Sequence, residues 1–308
     1  MSEFKLTTPV AFIIFNRPDT TALVFAEIAK ARPPKLLVVG DGPRAHKAGE
    51  AERVTATRAI IEQIDWPCEV LTHFSETNLG CKKRVSSGID WVFDQVEEAI
   101  ILEDDCLPNS SFFQFCQEML EYYRHDSRIG MISGDNFQLG GKTVPYSYYF
   151  SKYTHIWGWA SWRDRWQDYD VDMMIWPQVK KEGRLLDLIM TKSEVSYWKS
   201  IFDRVYRGQI DTWDYQWSFA NWCSGRITVL PSVNLISNIG FGSNATRTVI
   251  PSPLANLPTQ AMSFPLKHPS IQARSQDADR FSDRRCFRRP LLPRVYRWLI
   301  FHFKRLVF

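Results

Sequence analysis

The segment that decides the fold is Ala99-Ile100-Ile101-Leu102-Glu103-Asp104-Asp105-Cys106-Leu107-Pro108. Its apolar residues lead directly into three consecutive carboxylates, and a proline follows shortly after. An apolar run of this kind predicts a buried parallel strand, which places the acids at its carboxyl end. Open α/β sheets bind their ligands along that edge. Three like charges repel one another there unless a cation or hydrogen-bond donors offset them. The alternative interpretation is a solvated acidic turn.

Strand and helix patterns alternate through the first 107 residues and end at this segment. The order β-α-β-α-β-α-β predicts right-handed crossovers and a parallel sheet. The pattern is looser after Pro108. The predicted strands cover residues 10–15, 35–39, 69–74, 99–103, 129–133, 147–152 and 226–230, and the predicted helices cover 19–30, 47–64, 82–96, 112–124, 193–207 and 215–223.

Composition places the chain among ordinary globular proteins, with 44% hydrophobic and 23% charged residues in 308. The 12 tryptophans are unusual, and aromatic faces are useful for stacking on sugars or bases. No apolar run approaches the roughly 20 residues that span a bilayer. The start MSEFKLTTPV does not resemble a signal peptide, and the six cysteines form no CxxC pair. These features predict a cytoplasmic protein with reduced thiols.

Basic residues are concentrated near the carboxyl end. The net charge is +4, yet residues 271–308 contain ten Lys/Arg against three Asp, so the remainder of the chain is acidic and nucleic-acid binding is not expected. Residues 284–308 interleave Arg and Lys with large apolar side chains. This pattern predicts a basic amphipathic helix on an anionic membrane surface, peripheral on the inner face. The alternative is a helix packed on the body of the protein.

Chemistry-bearing residues follow successive predicted strands: Asn16-Arg17-Pro18, Asp41-Gly42, Asn78-Leu79-Gly80 and the acid triplet. This order resembles the nucleotide-sugar-binding half of GT-A glycosyltransferases, whose metal motif is a DxD or EDD triplet. The segments His155-Ile156-Trp157-Gly158-Trp159 and Trp213-Asp214-Tyr215-Gln216-Trp217 resemble N-acetylglucosaminyltransferase I, an inverting enzyme of that fold. In overall style the chain is closer to bacterial family-2-like enzymes of surface polysaccharide synthesis.

The resemblance implies an α/β fold with a GT-A (Rossmann-like) sheet and an aromatic-rich acceptor-binding half, to which the pattern of residues 284–308 adds a basic C-terminal helix. Residues 1–107 would be the nucleotide-sugar-binding half and 108–250 the acceptor-binding and catalytic half. Residues 251–283 would be a linker and 284–308 the tail. The implied reaction moves a sugar from a nucleoside diphosphate sugar, most simply a UDP-sugar, to a hydroxyl of a glycan or lipid-linked acceptor.

For the acid triplet, the resemblance makes Asp105 the ligand of Mn²⁺ or Mg²⁺, both of which prefer hard oxygen ligands. Asp104 and Glu103 would hold donor hydroxyls or metal-bound water. A divalent cation there would stabilise the negative charge that develops on the departing diphosphate.

Nucleotide contacts are expected at the ends of the first two strands. Asp41 could accept the uracil N–H, with Gly42 allowing close backbone approach, or both could simply form a turn. Asn16 and Arg17 are candidates for base or ribose contacts.

Phosphate contacts are expected at two basic positions. Lys83 lies with Lys82 and Arg84 near a predicted helix N-terminus, where anions are favoured, although a solvated basic turn is the alternative. Arg247, in a glycine-containing loop, could clamp phosphate bidentately.

The catalytic base of an inverting transfer must deprotonate the attacking hydroxyl. Asp214 is the candidate, and Asp211 is assigned to capping the following helix. In the alternative interpretation Asp214 only stabilises the N-terminus of that helix.

Trp157, Trp159 and Trp162 could line a sugar site or fill the core, and His155 could be a metal ligand or an interior histidine. Other functions left open are a sugar nucleotidyltransferase and a non-catalytic carbohydrate-binding protein. The turn at Asn16-Arg17-Pro18 lacks the glycines usual in nucleotidyltransferases.

Overall fold

Four parallel strands form the first half of an eight-stranded sheet in the computed structural model, which describes residues 4–140, 144–189, 191–241 and 254–287. They are connected by helices in the predicted β-α-β-α-β-α-β order. The elements are β1 (Val10–Ile14), α1 (Pro18–Ala31), β2 (Lys35–Gly40), α2 (Glu50–Ala59) with a 3₁₀ turn (Ile60–Gln63), β3 (Glu69–Phe74), α3 (Gly80–Gln95) and β4 (Glu98–Glu103).

Strand β1 is buried on both faces, as its unbroken apolar sequence predicts. Phe12 packs into a core that includes Val24 and Ile28 of α1. Ile13, pointing to the opposite face, packs into a core that includes Val85 and Ile89 of α3. The sheet is therefore covered by helices on both sides, which confirms the doubly wound α/β class.

The second half of the chain completes this sheet with strands of mixed direction and adds a separate strand pair. Its elements are β5 (Cys106–Pro108), α4 (Ser111–Tyr123), β6 (Ile129–Ser133), β7 (Tyr148–Ser151), β8 (Trp159–Trp162), α5 (Arg163–Trp166), α6 (Trp176–Lys181), α7 (Leu185–Leu188), α8 (Lys192–Tyr206), α9 (Asp214–Cys223), β9 (Ile227–Pro231) and β10 (Ile236–Asn238). The strand order across the sheet is β3-β2-β1-β4-β8-β6-β9-β7.

The sequence did not predict β8, which runs antiparallel between β4 and β6 in the middle of the sheet. Trp159 and Trp162 on this strand are buried, at 1% and 3% exposure. They fill the core and do not line a sugar site. Outside the main sheet, β10 pairs antiparallel with β5, so residues 236–238 lie beside the turn that carries the acids.

Residues 254–287 pack against the outer strand of the sheet. Ser147 donates its backbone N–H to the Lys267 carbonyl at 2.9 Å, and Ser275 donates to Phe150 at 2.8 Å. The segment ends in α10 (Gln276–Ser282) and a π-helical turn (Asp283–Phe287). Most of the predicted basic tail, residues 288–308, lies outside the described residues. Within the described part, no helix has both the length and the apolar character needed to cross a membrane.

Candidate active site

A cavity of about 420 Å³ opens at the carboxyl ends of β1, β2 and β4. The loop before α9 also lines it, together with Asn238, Gly240 and Phe241. Among the residues that line it are Arg17, Asp41, Glu103, Asp104, Asp105 and Asp214, all of them site residues predicted from the sequence. The topology thus brings together acids that are separated by more than a hundred residues in the chain.

The acid triplet occupies the end of β4 and the tight turn into β5. Asp104 is buried, and its Oδ2 accepts the backbone N–H of Phe15 at 3.0 Å. Arg17 bridges the two aspartates: one guanidinium nitrogen pairs with Asp104 Oδ1, and Nη1 donates to Asp105 Oδ2 at 2.9 Å. Hydrogen-bond donors therefore offset the repulsion between these carboxylates, and Arg17 supplies the positive charge.

Proton affinities in this cluster follow from burial and crowding. Burial raises the pKa of Glu103, and the nearby charges of Asp105 and Asp104 raise it further. Burial also raises the pKa of Asp104, against the opposing effect of Arg17. For Arg17 burial alone would lower the pKa, but the two carboxylates outweigh it and the net shift is upward. The guanidinium consequently stays charged.

Asp41 organises the loop that follows β3. Its carboxylate accepts the backbone N–H groups of Leu79 and Gly80 at 2.9 and 3.1 Å, and the side-chain amide of Asn78 at 2.9 Å. Burial raises its pKa in spite of these bonds, which act to lower it. Asp41 therefore holds the 78–80 loop in place and also lines the cavity.

The N-terminus of α3 is already satisfied by carboxylates. The Asp41 carboxylate accepts the N–H groups of Leu79 and Gly80, and Asp211 Oδ1 accepts the N–H of Lys82 at 3.1 Å. An anion would have to displace these carboxylates to use the helix end. Lys83 is exposed and does not line the cavity, whereas Arg84 is buried and does.

Asn16 and Gly42 stand behind the cavity wall, outside its lining. Asn16 is buried, and its amide donates to Glu50 Oε1 at 2.9 Å. Gly42 is buried against the next loop, where a Cβ would lie 2.6 Å from the Glu76 backbone. Its lack of a side chain therefore serves internal packing. Beside them, Arg44 reaches the cavity and pairs with Glu50, which holds the pKa of Glu50 at about 2.

Asp214 is the first residue of α9 and lines the same cavity as the triplet. The Thr212 hydroxyl donates to its Oδ1. Trp213 and Trp217, on either side of it in sequence, are buried in the core and anchor the start of the helix. Asp211, expected to cap α9, caps α3 instead, because its carboxylate points back toward the first half of the chain.

Aromatic and histidine side chains of the second half divide between the cavity and the core. Trp157 lines the cavity, edge-on to Phe241 at 5.7 Å between ring centroids. His155 lies in the interior against Phe137 and Phe287, where burial lowers its pKa to about 3. The structure thus places His155 among aromatic rings, away from the acids.

Residues 239–241 lie over the acid turn. Ile239 donates its N–H to the Asp105 carbonyl at 2.8 Å. A Cβ on Gly240 would overlap Asp105 Oδ2 and come within 2.7 Å of Arg17 Nη1. Glycine is therefore required for this close approach. Arg247, farther along the same loop, lies outside the described residues.

Divalent cations suit the oxygen chemistry of the triplet, but its present arrangement does not fit one. Arg17 holds an oxygen of each aspartate, and no group of three or more His, Cys, Asp or Glu side chains in the described ranges is arranged as a metal site.

Comparisons with solved structures found distant likenesses. No protein-family model matches the sequence, and no curated protein matches it. Among solved structures, an active-site mutant of LgtC aligns at 11% identity over 90% of this chain and 94% of its own, with a TM-score of 0.40. The glycosyltransferase GlyE of Streptococcus pneumoniae TIGR4 aligns at 9% identity over 70% and 47%, with a TM-score of 0.32. A CMP:2-keto-3-deoxy-manno-octonic acid synthetase complexed with CTP aligns at 12% over 73% and 89%, with a TM-score of 0.36.

Proposed function

We propose that this chain is a glycosyltransferase that takes a sugar from a nucleoside diphosphate sugar, a UDP-sugar in the simplest case, and transfers it with inversion to a hydroxyl. The acceptor class is a glycan or lipid-linked sugar of a surface polysaccharide. One observation supports the proposal: the acid and arginine cluster at β4 and Asp214 line the same cavity.

The residues that line the cavity would divide between binding the donor and activating the acceptor. The donor diphosphate would lie along the wall formed by the parallel strands, where Arg17, Arg44 and Arg84 are the cations of the lining. Guanidinium groups hydrogen-bond phosphate oxygens well and stabilise the charge that develops on a departing diphosphate. Trp157 and Phe241 offer aromatic faces or edges for a sugar ring in the same cavity.

Asp214 would act as the base that deprotonates the acceptor hydroxyl. An inverting displacement needs a carboxylate that accepts the acceptor hydroxyl's proton on the side opposite the leaving group. Asp214 begins a helix anchored by two buried tryptophans, so its position is fixed relative to the triplet. The proton passes from the hydroxyl to the Asp214 carboxylate as the new glycosidic bond forms and the sugar–phosphate bond breaks.

The test is a donor screen with two arms. In the first, purified protein receives UDP-, GDP-, dTDP- or CMP-sugars with Mn²⁺ or Mg²⁺, and nucleotide release is measured with and without glycan acceptors. In the second, it receives nucleoside triphosphates and sugar 1-phosphates, and pyrophosphate release is measured. Release of a nucleoside diphosphate in the first arm alone supports the proposal. Proton NMR of the product, which gives the anomeric configuration of the new linkage, then shows whether the configuration of the donor has been inverted. Pyrophosphate release alone would instead identify a nucleotidyltransferase.

A third outcome is glycan binding with no turnover in either arm. That result would overturn the proposal in favour of a carbohydrate-binding protein. Calorimetry with UDP separates the cases further, since a glycosyltransferase binds the nucleotide product and a simple glycan-binding protein does not.

A further inference from the structure

A second cavity, of about 530 Å³, lies near the carboxyl end of the described chain. We call it the basic groove, and its lining consists of Asp277, Arg280, Phe281, Arg284 and Arg285. These residues belong to α10 and to the π-helical turn that follows it. Among the described residues, none lines both this groove and the cavity that contains the acid triplet. The basic groove is therefore a separate surface from the candidate active site.

Positive charge dominates the basic groove. Three of its lining residues are arginines and one is an aspartate, and Arg280 Nη2 lies 3.3 Å from Asp277 Oδ1. Arg284 and Arg285 are exposed, and the guanidinium carbon of Arg285 lies 5.9 Å from the centroid of the Phe281 ring. Because guanidinium groups bind phosphate oxygens through paired hydrogen bonds, this lining suits a phosphate-bearing anion.

Buried contacts hold the groove segment against the sheet. Asp279 is fully buried, accepts the Ser151 hydroxyl at 2.6 Å and lies 3.1 Å from Arg274 Nε. Beyond the turn, the ring of Phe287 packs 5.0 Å from that of Trp198 in the core. The segment thus buries this acid and exposes its arginines on a backbone that is fixed at both ends.

Aromatic contacts connect the end of the groove segment to the candidate active site. Phe287 is stacked on His155, with 6.2 Å between ring centroids. Phe137 lies 4.5 Å from His155 and 5.0 Å from Trp157, which lines the cavity of the acid triplet. Three ring-to-ring steps therefore lead from Phe287 to that cavity, so a surface bound at the basic groove is close to the proposed reaction site.

The sequence beyond the groove has a composition that favours one kind of partner. Residues 288–308 contain six Lys/Arg, no Asp or Glu, and five aromatic residues among Phe, Trp and Tyr. Basic residues are attracted to anionic headgroups, and large apolar residues gain from entering the interface of a bilayer. A soluble acidic partner would match the charge alone. The groove and the adjoining sequence together therefore favour a lipid surface.

We propose that the basic groove binds the phosphate headgroup of an anionic phospholipid and so holds the protein on a membrane surface. Arg280, Arg284 and Arg285 supply the guanidinium groups, and Phe281 supplies an apolar contact. This inference rests on the proposed function only for its purpose, which is to bring the cavity to a lipid-linked acceptor. The binding itself requires no nucleotide.

The experiment measures sedimentation of the full-length protein with vesicles of phosphatidylcholine and phosphatidylglycerol in equal parts. Arg280→Gln/Arg284→Gln/Arg285→Gln should lower the apparent vesicle affinity at least tenfold at low salt, since each basic residue near such a surface contributes roughly a fivefold factor. The difference should shrink with added salt, which screens the charges. Replacing the same arginines by lysine keeps the charge, so this variant should bind within about fivefold of wild type.

Two control variants show whether the effect belongs to the groove. Lys5→Gln/Lys30→Gln/Lys47→Gln removes the same charge from exposed positions in the first half of the chain, and its vesicle affinity should stay within about twofold of wild type. Arg288→Gln/Arg289→Gln/Arg294→Gln removes it from the sequence beyond the groove. Wild-type binding by the groove variant with loss only in the second control would overturn the proposal.

Equal losses in the groove variant and the lysine control would also overturn it, as would equal binding of the wild type to pure phosphatidylcholine. Circular dichroism establishes that each variant is folded, and Arg284→Glu alone carries the test if the triple variant is not. UDP calorimetry keeps the two proposals apart, because the groove lies outside the triplet cavity and its variant should bind UDP as the wild type does. Lost vesicle binding in the groove variant, with no UDP binding in either protein, would support the groove and count against the nucleotide-sugar function.

Discussion

The backbone N–H of Lys82 donates a 3.1 Å hydrogen bond to Asp211 Oδ1, joining the start of α3 to the loop before α9 across 129 residues of sequence. This bond joins two segments that both contribute residues to the cavity lining. It also gives Asp211 a structural task, which separates it from Asp214 three residues later. The two aspartates can therefore be distinguished by matched substitutions.

Asp214→Asn preserves the shape of the side chain but removes its capacity to accept a proton. Transfer should fall on the order of 10²–10⁴-fold, with the affinity for UDP nearly unchanged. In Asp211→Asn the amide oxygen still accepts the Lys82 N–H, so transfer should remain within a fewfold of wild type. Initial-rate kinetics and UDP calorimetry on both variants provide the measurement. If only Asp211→Asn loses activity, the roles of the two residues are reversed.

Gly240→Ala tests the loop that closes over the acid turn. The added methyl would overlap Asp105 Oδ2 and crowd Arg17 Nη1, so either the loop or the ion pair must move. We expect UDP affinity to fall by about tenfold, in line with the cost of about 1–3 kcal/mol for overpacking. Ser237→Ala, on the adjacent strand β10 and outside the cavity lining, is the control. Unchanged UDP affinity in Gly240→Ala would show that the loop does not shape the nucleotide site.

The parts of the site that could be predicted from sequence are those fixed by local pattern. An apolar run ending in acids determines where Glu103, Asp104 and Asp105 lie, because a parallel strand must present its end at the ligand-binding edge. The β-α alternation likewise placed Arg17 and Asp41 at that edge. These inferences need no knowledge of distant contacts.

Residues whose environment depends on distant parts of the chain were harder to predict. The basic run Lys82-Lys83-Arg84 gives no sign that carboxylates from two other loops cap the helix or that only its third member turns inward. A helical wheel offers a weak signal, since Arg84 lies four residues before the buried Gly88. Trp159 could not be recognised as a central strand residue, because β8 joins the sheet through non-local pairing.

Acid stability should report the pairing of Glu50 with Arg44. The hydrogen bonds from Arg44 lower the pKa of Glu50 from 4.5 to about 2, so the charged form is favoured in the folded protein. The resulting stabilisation is complete above about pH 5 and is lost as the pH falls toward 2. Glu50→Gln should therefore cost about 1–3 kcal/mol of unfolding free energy at pH 7, and progressively less between pH 5 and 2.

Urea unfolding of Glu50→Gln and wild type at pH 7, 5, 4 and 3 measures this difference. Glu27→Gln is the control, since Glu27 pairs with the exposed Lys30 at the surface. Its effect should stay small at every pH, as expected for a solvated ion pair. A difference for Glu50→Gln that does not change with pH would mean that packing, and not charge, is responsible.

The buried ion pair between Lys152 and Glu194 gives the last prediction. It links the end of β7 to α8, and both side chains are almost fully buried, at 2% and 3% exposure, with Nζ 2.8 Å from Oε1. The Tyr153 and Thr191 hydroxyls complete the hydrogen bonding of the carboxylate. Replacing the lysine alone leaves this carboxylate buried without a counter-charge, so Lys152→Met should cost on the order of 3–5 kcal/mol.

Removing the carboxylate as well should restore much of that loss, because the double variant Lys152→Met/Glu194→Leu buries no unpaired charge. Urea unfolding at pH 7 measures both variants, and Lys30→Met, in an exposed pair, serves as the control with an expected effect below about 0.5 kcal/mol. Equal losses in the single and double variants would assign the cost to altered packing, since the double variant has no unpaired carboxylate left to explain it.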